Sequence, residues 1–305
     1  MMMNTRIIPL TIILILFSIE SSAIIPDRKY VRLPQNMGLI YKELDVETAD
    51  GYRIETWFYP AQNMPEEDAG QSEMLPYRTL DDSRRPTLVI CNGDAGNMSY
   101  QQVMLAAIYA AGGFNVVTFD WRGFGDSSEF EMDSNYLCYT EMLDDYDAVL
   151  KAVRRQREVD RNRIFVMGWS TGAYLSMITA YNNRNVAGCI LSSTPSSFEE
   201  EIPILVERHP AGKTEENLIV PDDFPRGQMP ALIAPKFTKP ILLVVGAKDD
   251  RTPQWMSEKI YNALPEGTDK KLSIYPDAGH GGMMSPYIVD MERWITETVE
   301  FMSGR

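Results

Sequence analysis

Histidine and cysteine are scarce in this chain. Its 305 residues include two histidines, His209 and His280, and three cysteines. A zinc site built mainly from these residue types would have to gather most of that supply in one place. Cys91, Cys138 and Cys189 are far apart and form no Cys-x-x-Cys pair, so no metal is expected, and any imidazole-dependent step has only two candidates. Basic runs are missing as well. Lys and Arg number 29 against 43 Asp and Glu, a formal net charge of −14, which argues against a nucleic-acid partner. The cysteine count is odd, and Cys91 and Cys189 sit inside apolar runs, so they read as small buried hydrophobes and not as a disulfide frame. No apolar run is long enough to span a bilayer comfortably: the best candidate, Ile7 to Phe17, is interrupted by Pro9 and Thr11.

That short run has another reading. Met1 to Arg6 is a positive stretch, Ile7 to Phe17 is apolar, and Ser21-Ser22-Ala23 places small residues before a cut. This is the layout of a secretory signal peptide. Residues 1–23 are expected to be removed, leaving a periplasmic or secreted protein with no stable membrane span. The rest of the chain, 24–305, reads as one domain, since no repeat, low-complexity tract or linker divides it. A content of 44% hydrophobic and 24% charged residues is that of a globular chain able to build a core without staples.

The pattern begins with a hairpin. Tyr41 to Thr48 and Tyr52 to Tyr59 both alternate polar and apolar residues, and Asp50-Gly51 joins them. From Pro86 onward, short apolar runs alternate with helical segments. Strands are expected at Thr87–Cys91, Asn115–Asp120, Arg163–Met167, Val186–Ser192, Ile241–Val245 and Lys271–Tyr275. Helices are expected at Tyr100–Ala111, behind a Ser99/Gln102 capping box, and at Tyr139–Arg155, Thr171–Tyr181, Pro253–Leu264 and Ser285–Met302. Such alternation specifies an α/β fold: a mostly parallel, twisted sheet with helices on both faces. The stretch 194–239, between two strands, reads as a small lid-like insertion, whose Phe198, Ile202 and Leu205, with Met283 and Met284 beside His280, are candidates either for apolar acyl contacts or for plain core.

Four segments carry chemistry. Gly168-Trp169-Ser170-Thr171-Gly172 follows the run Ile164–Met167 and precedes a helix, the setting of a nucleophile elbow. A tight strand-to-helix turn lifts the Ser170 hydroxyl above the sheet, and Gly168 and Gly172 leave room where the backbone crowds. A serine hydroxyl needs a base. His280, in Asp277-Ala278-Gly279-His280-Gly281-Gly282, follows the last strand, where an α/β sheet places its site. His209 lies in the insertion and reads as a solvated loop residue. A carboxylate must then orient the imidazole. Asp249 stands just past the strand Ile241–Val245, with Asp250 and Asp277 as alternatives. Finally, the loop Cys91-Asn92-Gly93-Asp94-Ala95-Gly96-Asn97 can aim a backbone N–H at an oxyanion, together with the N–H of Thr171. Asp94 is the first candidate and Ala95 the second, and the Asp94 carboxylate should point away from the hole. Asn97-Met98-Ser99 is a formal glycosylation sequon, which is not expected to be used inside this loop.

These four segments, with Asp120-Trp121-Arg122-Gly123-Phe124-Gly125-Asp126-Ser127 between them, resemble the α/β-hydrolase superfamily from about residue 40 to the C-terminus. The likeness is greatest to its short-capped serine hydrolases, the serine-aminopeptidase-like and depalmitoylase-like group. There the oxyanion loop reads His-Gly-Asn-Ala/Gly-Gly-Asn; here Asn92 and Asp94 replace the His and the first Asn. The resemblance implies a triad of Ser170, Asp249 and His280, and a scaffold turn at Asp120–Gly125. The expected activity is hydrolysis of a small-molecule or acyl carboxylic ester through an acyl-enzyme, without metal or organic cofactor. A peptidase or amidase, an acyltransferase, and a non-catalytic binding protein on the same fold are the rival readings.

Overall fold

In the computed structural model the protein is described at residues 23–63, 77–208, 214 and 217–304. The predicted leader up to Ser22 and His209 lie outside the described residues. Ala23, on the leader side of the predicted cut, is packed into the core, and its N–H donates to the Ser134 carbonyl at 2.6 Å.

In chain order the elements are β1 (Ile25–Pro26), β2 (Lys42–Glu43), β3 (Thr56–Tyr59), β4 (Arg85–Ile90), β5 (Ala95–Gly96), α1 (Gln102–Ala111), β6 (Asn115–Phe119) and α2 (Glu141–Arg155). There follow β7 (Val159–Trp169), α3 (Thr171–Asn182), β8 (Gly188–Ser192), α4 (Phe198–Arg208), α5 (Pro230–Ile233), β9 (Ile241–Gly246), α6 (Gln254–Ala263), β10 (Lys270–Tyr275), α7 (Pro286–Val289) and α8 (Met291–Ser303). The main sheet has eight strands in the order β10-β9-β8-β7-β4-β6-β3-β2. The six from β10 to β6 are parallel, while β3 joins β6, and β2 joins β3, antiparallel. This is the α/β-hydrolase architecture expected, with the hairpin on its edge. The Asp50-Gly51 turn closes that hairpin, and Gly51 takes φ +89°, a conformation few other residues adopt.

Alternate residues of each inner strand face opposite cores, because both faces are covered. Val89, Cys91, Val117, Val166 and Leu243 pack under α2, α3 and α6. Leu88, Ile90, Val116, Met167 and Val244 pack under α1, α7 and α8. This two-sided burial is why the strands read as continuous apolar runs and not as alternating ones. Helix α2 shows the complementary pattern: Met142, Tyr146, Val149 and Val153 are fully buried along one stripe, with acids in the first turn and Arg154 and Arg155 in the last. Among the described residues no helix is long and apolar enough to cross a membrane.

Two local expectations need correction. Helix α1 starts at Gln102, two residues later than predicted, and the capping box does not form. Ser99 instead donates its hydroxyl to Asn97 Oδ1 and accepts the Val31 N–H, while the Gln102 side chain turns toward Gln101 N and Asn92 Oδ1. The predicted final helix is split at Asp290, whose carboxylate accepts the Arg293 N–H at 3.1 Å and starts α8 afresh.

Candidate active site

The central strand β4 has β6 on one side and β7 on the other, so the chain reverses its direction of travel across the sheet beside it. The carboxyl ends of strands at such a reversal leave a crevice. Ser170 stands there, between the end of β7 and the start of α3, with φ +52° and ψ −123°. That backbone is strained by about 1–3 kcal/mol for a non-glycine residue. The turn is closed by contacts that only glycine permits. A Cβ on Gly168 would lie 2.3 Å from the Gly172 carbonyl oxygen, and one on Gly172 would lie 2.3 Å from the Asn92 carbonyl oxygen. The Ser170 N–H donates to the Ser192 carbonyl at 3.0 Å, tying the elbow to β8.

The structure brings His280 and Asp249 to this serine. His280 Nε2 lies 3.0 Å from Ser170 Oγ, and His280 Nδ1 lies 3.0 and 3.1 Å from the two Asp249 carboxylate oxygens. The other acids considered for the role are engaged elsewhere: Asp250 pairs with Arg208, and Asp277 pairs with Lys248 at 2.8 Å. Asp249 is 5% exposed. Burial alone would raise its carboxyl, but the hydrogen bond and charge of His280 and the Thr252 N–H outweigh it and hold the group below its ordinary value.

Thr252 is a participant that the sequence reading missed. Its hydroxyl donates to Asp249 Oδ2 at 2.9 Å and lies 3.2 Å from His280 Nδ1. Asp249 Oδ1 also accepts the N–H groups of Arg251 and Thr252 at 3.0 and 2.9 Å. The signal was available: an Asp followed three residues later by Thr, then Pro, is a local side-chain-to-backbone turn at a helix start. Because the single Thr252 proton goes to Asp249, the tautomer with a proton on His280 Nδ1, directed at the carboxylate, meets no competing donor. Its Nε2 lone pair then faces Ser170. A hydrogen bond to a charged group is worth about 1.5 kcal/mol or more. Thr252→Val is therefore expected to lower kcat about tenfold in steady-state assays, with KM unchanged; an unaltered kcat would remove Thr252 from the site.

The N–H groups of Asp94 and Thr171 meet no acceptor among the described residues, and both residues border the serine, Asp94 through the cavity wall. The Asp94 carboxylate lies 3.9 Å from the Arg251 guanidinium, across the mouth of the site. Asn92 is buried; its backbone carbonyl accepts Trp121 Nε1 at 3.3 Å and its side chain accepts Gln102 Nε2, so it anchors the loop to α1. Asn97 is fully buried, and both its amide protons are spent on the carbonyls of Asp27 and Lys29.

Ser170 and His280 open onto a cavity of about 550 Å³. From the insertion, Arg208 reaches its wall, and Met284 lines it beside His280. Phe198 and Leu205 do not: they are buried in the core, where the Phe198 ring packs edge-on against Tyr174 of α3. They belong to the core and not to an acyl-binding surface.

Comparison with known proteins gives the same architecture. Residues 99–303, about two thirds of the chain, match the prolyl oligopeptidase family. The uncharacterized protein YfhR of Escherichia coli is 27% identical over 248 residues, 78% of this chain and 73% of that one. The alpha/beta hydrolase domain-containing protein WAV2 of Arabidopsis thaliana is 22% identical over 239 residues, 77% of this chain and 70% of that one. Among solved structures, the Pyrococcus furiosus esterase Pf2001 superposes with a TM-score of 0.72 at 16% identity, covering 92% of this chain and 96% of that one.

Proposed function

The chain belongs to the prolyl oligopeptidase family within the α/β-hydrolase superfamily, and from that premise we propose that it is a serine hydrolase that cleaves carboxylic esters through an acyl-enzyme. The observation that carries this reading is the continuous hydrogen-bonded line from Ser170 Oγ through His280 to Asp249. Ser170 Oγ attacks the carbonyl carbon while His280 Nε2 takes the hydroxyl proton. Asp249 holds Nδ1–H and stabilises the imidazolium. The N–H groups of Asp94 and Thr171 hold the oxyanion. The alcohol leaves with the proton returned by His280. Water, deprotonated by the same nitrogen, then attacks the acyl-enzyme, and His280 returns that proton to Ser170 Oγ as the acid leaves. A cavity of about 550 Å³ suits a small-molecule ester. The family's peptidase lineage favours a second reading, cleavage of a peptide or amide bond by the same steps.

A fluorophosphonate probe tests the proposal. The folded wild type is expected to label at Ser170 and the Ser170→Ala variant is not; an unlabelled, folded wild type would leave a binding protein on a hydrolase fold. A panel of nitrophenyl esters and aminoacyl amides ranks the two substrate readings, and turnover of the amides alone would overturn the ester proposal. The intact mass of the labelled protein reads the proposed export as well: a chain starting at Ile24 supports removal of the leader, and one retaining Met1 overturns it.

A further inference from the structure

Within the loop that carries Asp94 and Ala95, the strand β5 pairs with no strand of the main sheet. It is held from outside by the first ten described residues. β1 runs parallel to β5, in register Ile25 with Ala95 and Pro26 with Gly96. The Ile25 N–H donates to the Asp94 carbonyl at 2.8 Å, and the Asp27 N–H to the Gly96 carbonyl at 3.1 Å. Asn97, just beyond, returns two bonds, to the carbonyls of Asp27 and Lys29 at 3.0 and 2.9 Å. The Val31 N–H donates to Ser99 Oγ at 2.9 Å, and the Tyr100 hydroxyl to Asp27 Oδ2 at 2.6 Å. Beneath the loop, one Asp120 carboxylate receives the Met98 N–H at 2.7 Å on one oxygen and the Tyr30 hydroxyl at 2.9 Å on the other. Strap and loop thus share an anchor.

The peptide group between Asp94 and Ala95 is planar and trans. A hydrogen bond that draws its carbonyl toward Ile25 therefore fixes its N–H on the opposite side. Of the two candidate donors, the Ala95 N–H belongs to that peptide group, and the Asp94 N–H is joined to the pinned carbonyl through the Asp94 Cα, two backbone torsions away. Oxyanion donors act only when they are already in place as charge develops, and a displacement of about 1 Å can cost about 10²-fold. We infer that residues 25–31 are a strap that positions the oxyanion donors of the 94–95 segment, with the Ile25 N–H as the principal positioning contact. The inference rests on the serine-hydrolase reading.

Its test is Ile25→Pro, which deletes the N–H but leaves an extended residue, compared with Ile25→Ala, which keeps the N–H. Ile25 is half exposed, so both lose the same surface side chain. The kcat per fluorophosphonate-labelled serine is expected to be at least about tenfold lower in Ile25→Pro than in Ile25→Ala, at equal KM. A strap that served stability alone would lower the thermal midpoint and leave kcat per labelled serine equal in the two variants, which would overturn the inference. If Ile25→Pro does not fold, Tyr100→Phe decides, since it removes only the hydroxyl bound to Asp27. It should lower kcat about threefold at constant KM, and an unaltered kcat would overturn the strap. A wild type that never labels would sink the hydrolase reading and the strap with it, whereas a labelling wild type with equal variants sinks the strap alone.

Discussion

Ser170→Ala is expected to reduce kcat by about 10⁶ and Asp249→Asn by about 10⁴, with the thermal midpoint little changed in either. The first loss is that of the nucleophile itself. The second is smaller but more informative about the geometry. Asp249 Oδ1 already accepts two backbone N–H groups, from Arg251 and Thr252. In Asp249→Asn the amide oxygen would keep those bonds, and the amide nitrogen would turn toward His280 Nδ1. An N–H there forces the imidazole to carry its proton on Nε2, aimed at the Ser170 hydroxyl 3.0 Å away, where a lone pair is required. Burst titration with a nitrophenyl ester measures both variants. An Asp249→Asn enzyme within tenfold of wild type would mean that another group orients the imidazole. Because Asp249 is held below its ordinary value, its carboxylate stays ionised in mild acid.

The residues of that line were legible because each follows its own strand: Ser170 after β7, Asp249 after β9 and His280 after β10. A sheet buried on both faces announces its strands as apolar runs, and the loops behind them are then the places to look. Legibility ended where the contacts run through backbone groups or distant partners. Nothing in the letters Ile25 to Val31 marks a strap, since its bonds to the 94–99 loop are made mostly by N–H and carbonyl groups that almost any residue carries. The Ser99/Gln102 box failed for a related reason: a sequence window cannot show that the Ser99 hydroxyl accepts from Val31 and donates to Asn97. Phe198 and Leu205 fit an acyl-binding wall as well as a core, and only their burial, with the Phe198 ring against Tyr174, decides between them.

Arg122, inside the turn Asp120–Gly125, illustrates how a residue near a site can act through stability alone. Arg122 is completely buried, with its Nε 2.8 Å and its Nη2 2.7 Å from Asp145 Oδ1, while its backbone N–H bonds Asp145 Oδ2 at 2.9 Å. Its other edge meets the Asp50 carboxylate at 2.7 Å, and the guanidinium lies 4.2 Å from the centre of the Tyr52 ring. Burial works against the charge, but the bonds from Asp50 and Asp145 outweigh it and keep Arg122 firmly protonated. One residue thus joins the hairpin turn, the strand β6 and the helix α2. Asp145→Ala would strand the guanidinium beside a single, half-exposed partner, and the loss of unfolding free energy in urea is expected to be about 3–5 kcal/mol. Replacing both members, Arg122→Met with Asp145→Leu, should recover much of that loss, because a buried pair contributes little net stability over a well-packed apolar one. A loss below about 1 kcal/mol in Asp145→Ala would mean that water reaches the guanidinium and that the turn is held by Gly123, Gly125 and the Asp120 carboxylate instead. In either outcome kcat per labelled serine is expected to stay close to wild type in the folded fraction, since neither Arg122 nor Asp145 touches the serine, the imidazole or the 94–95 loop.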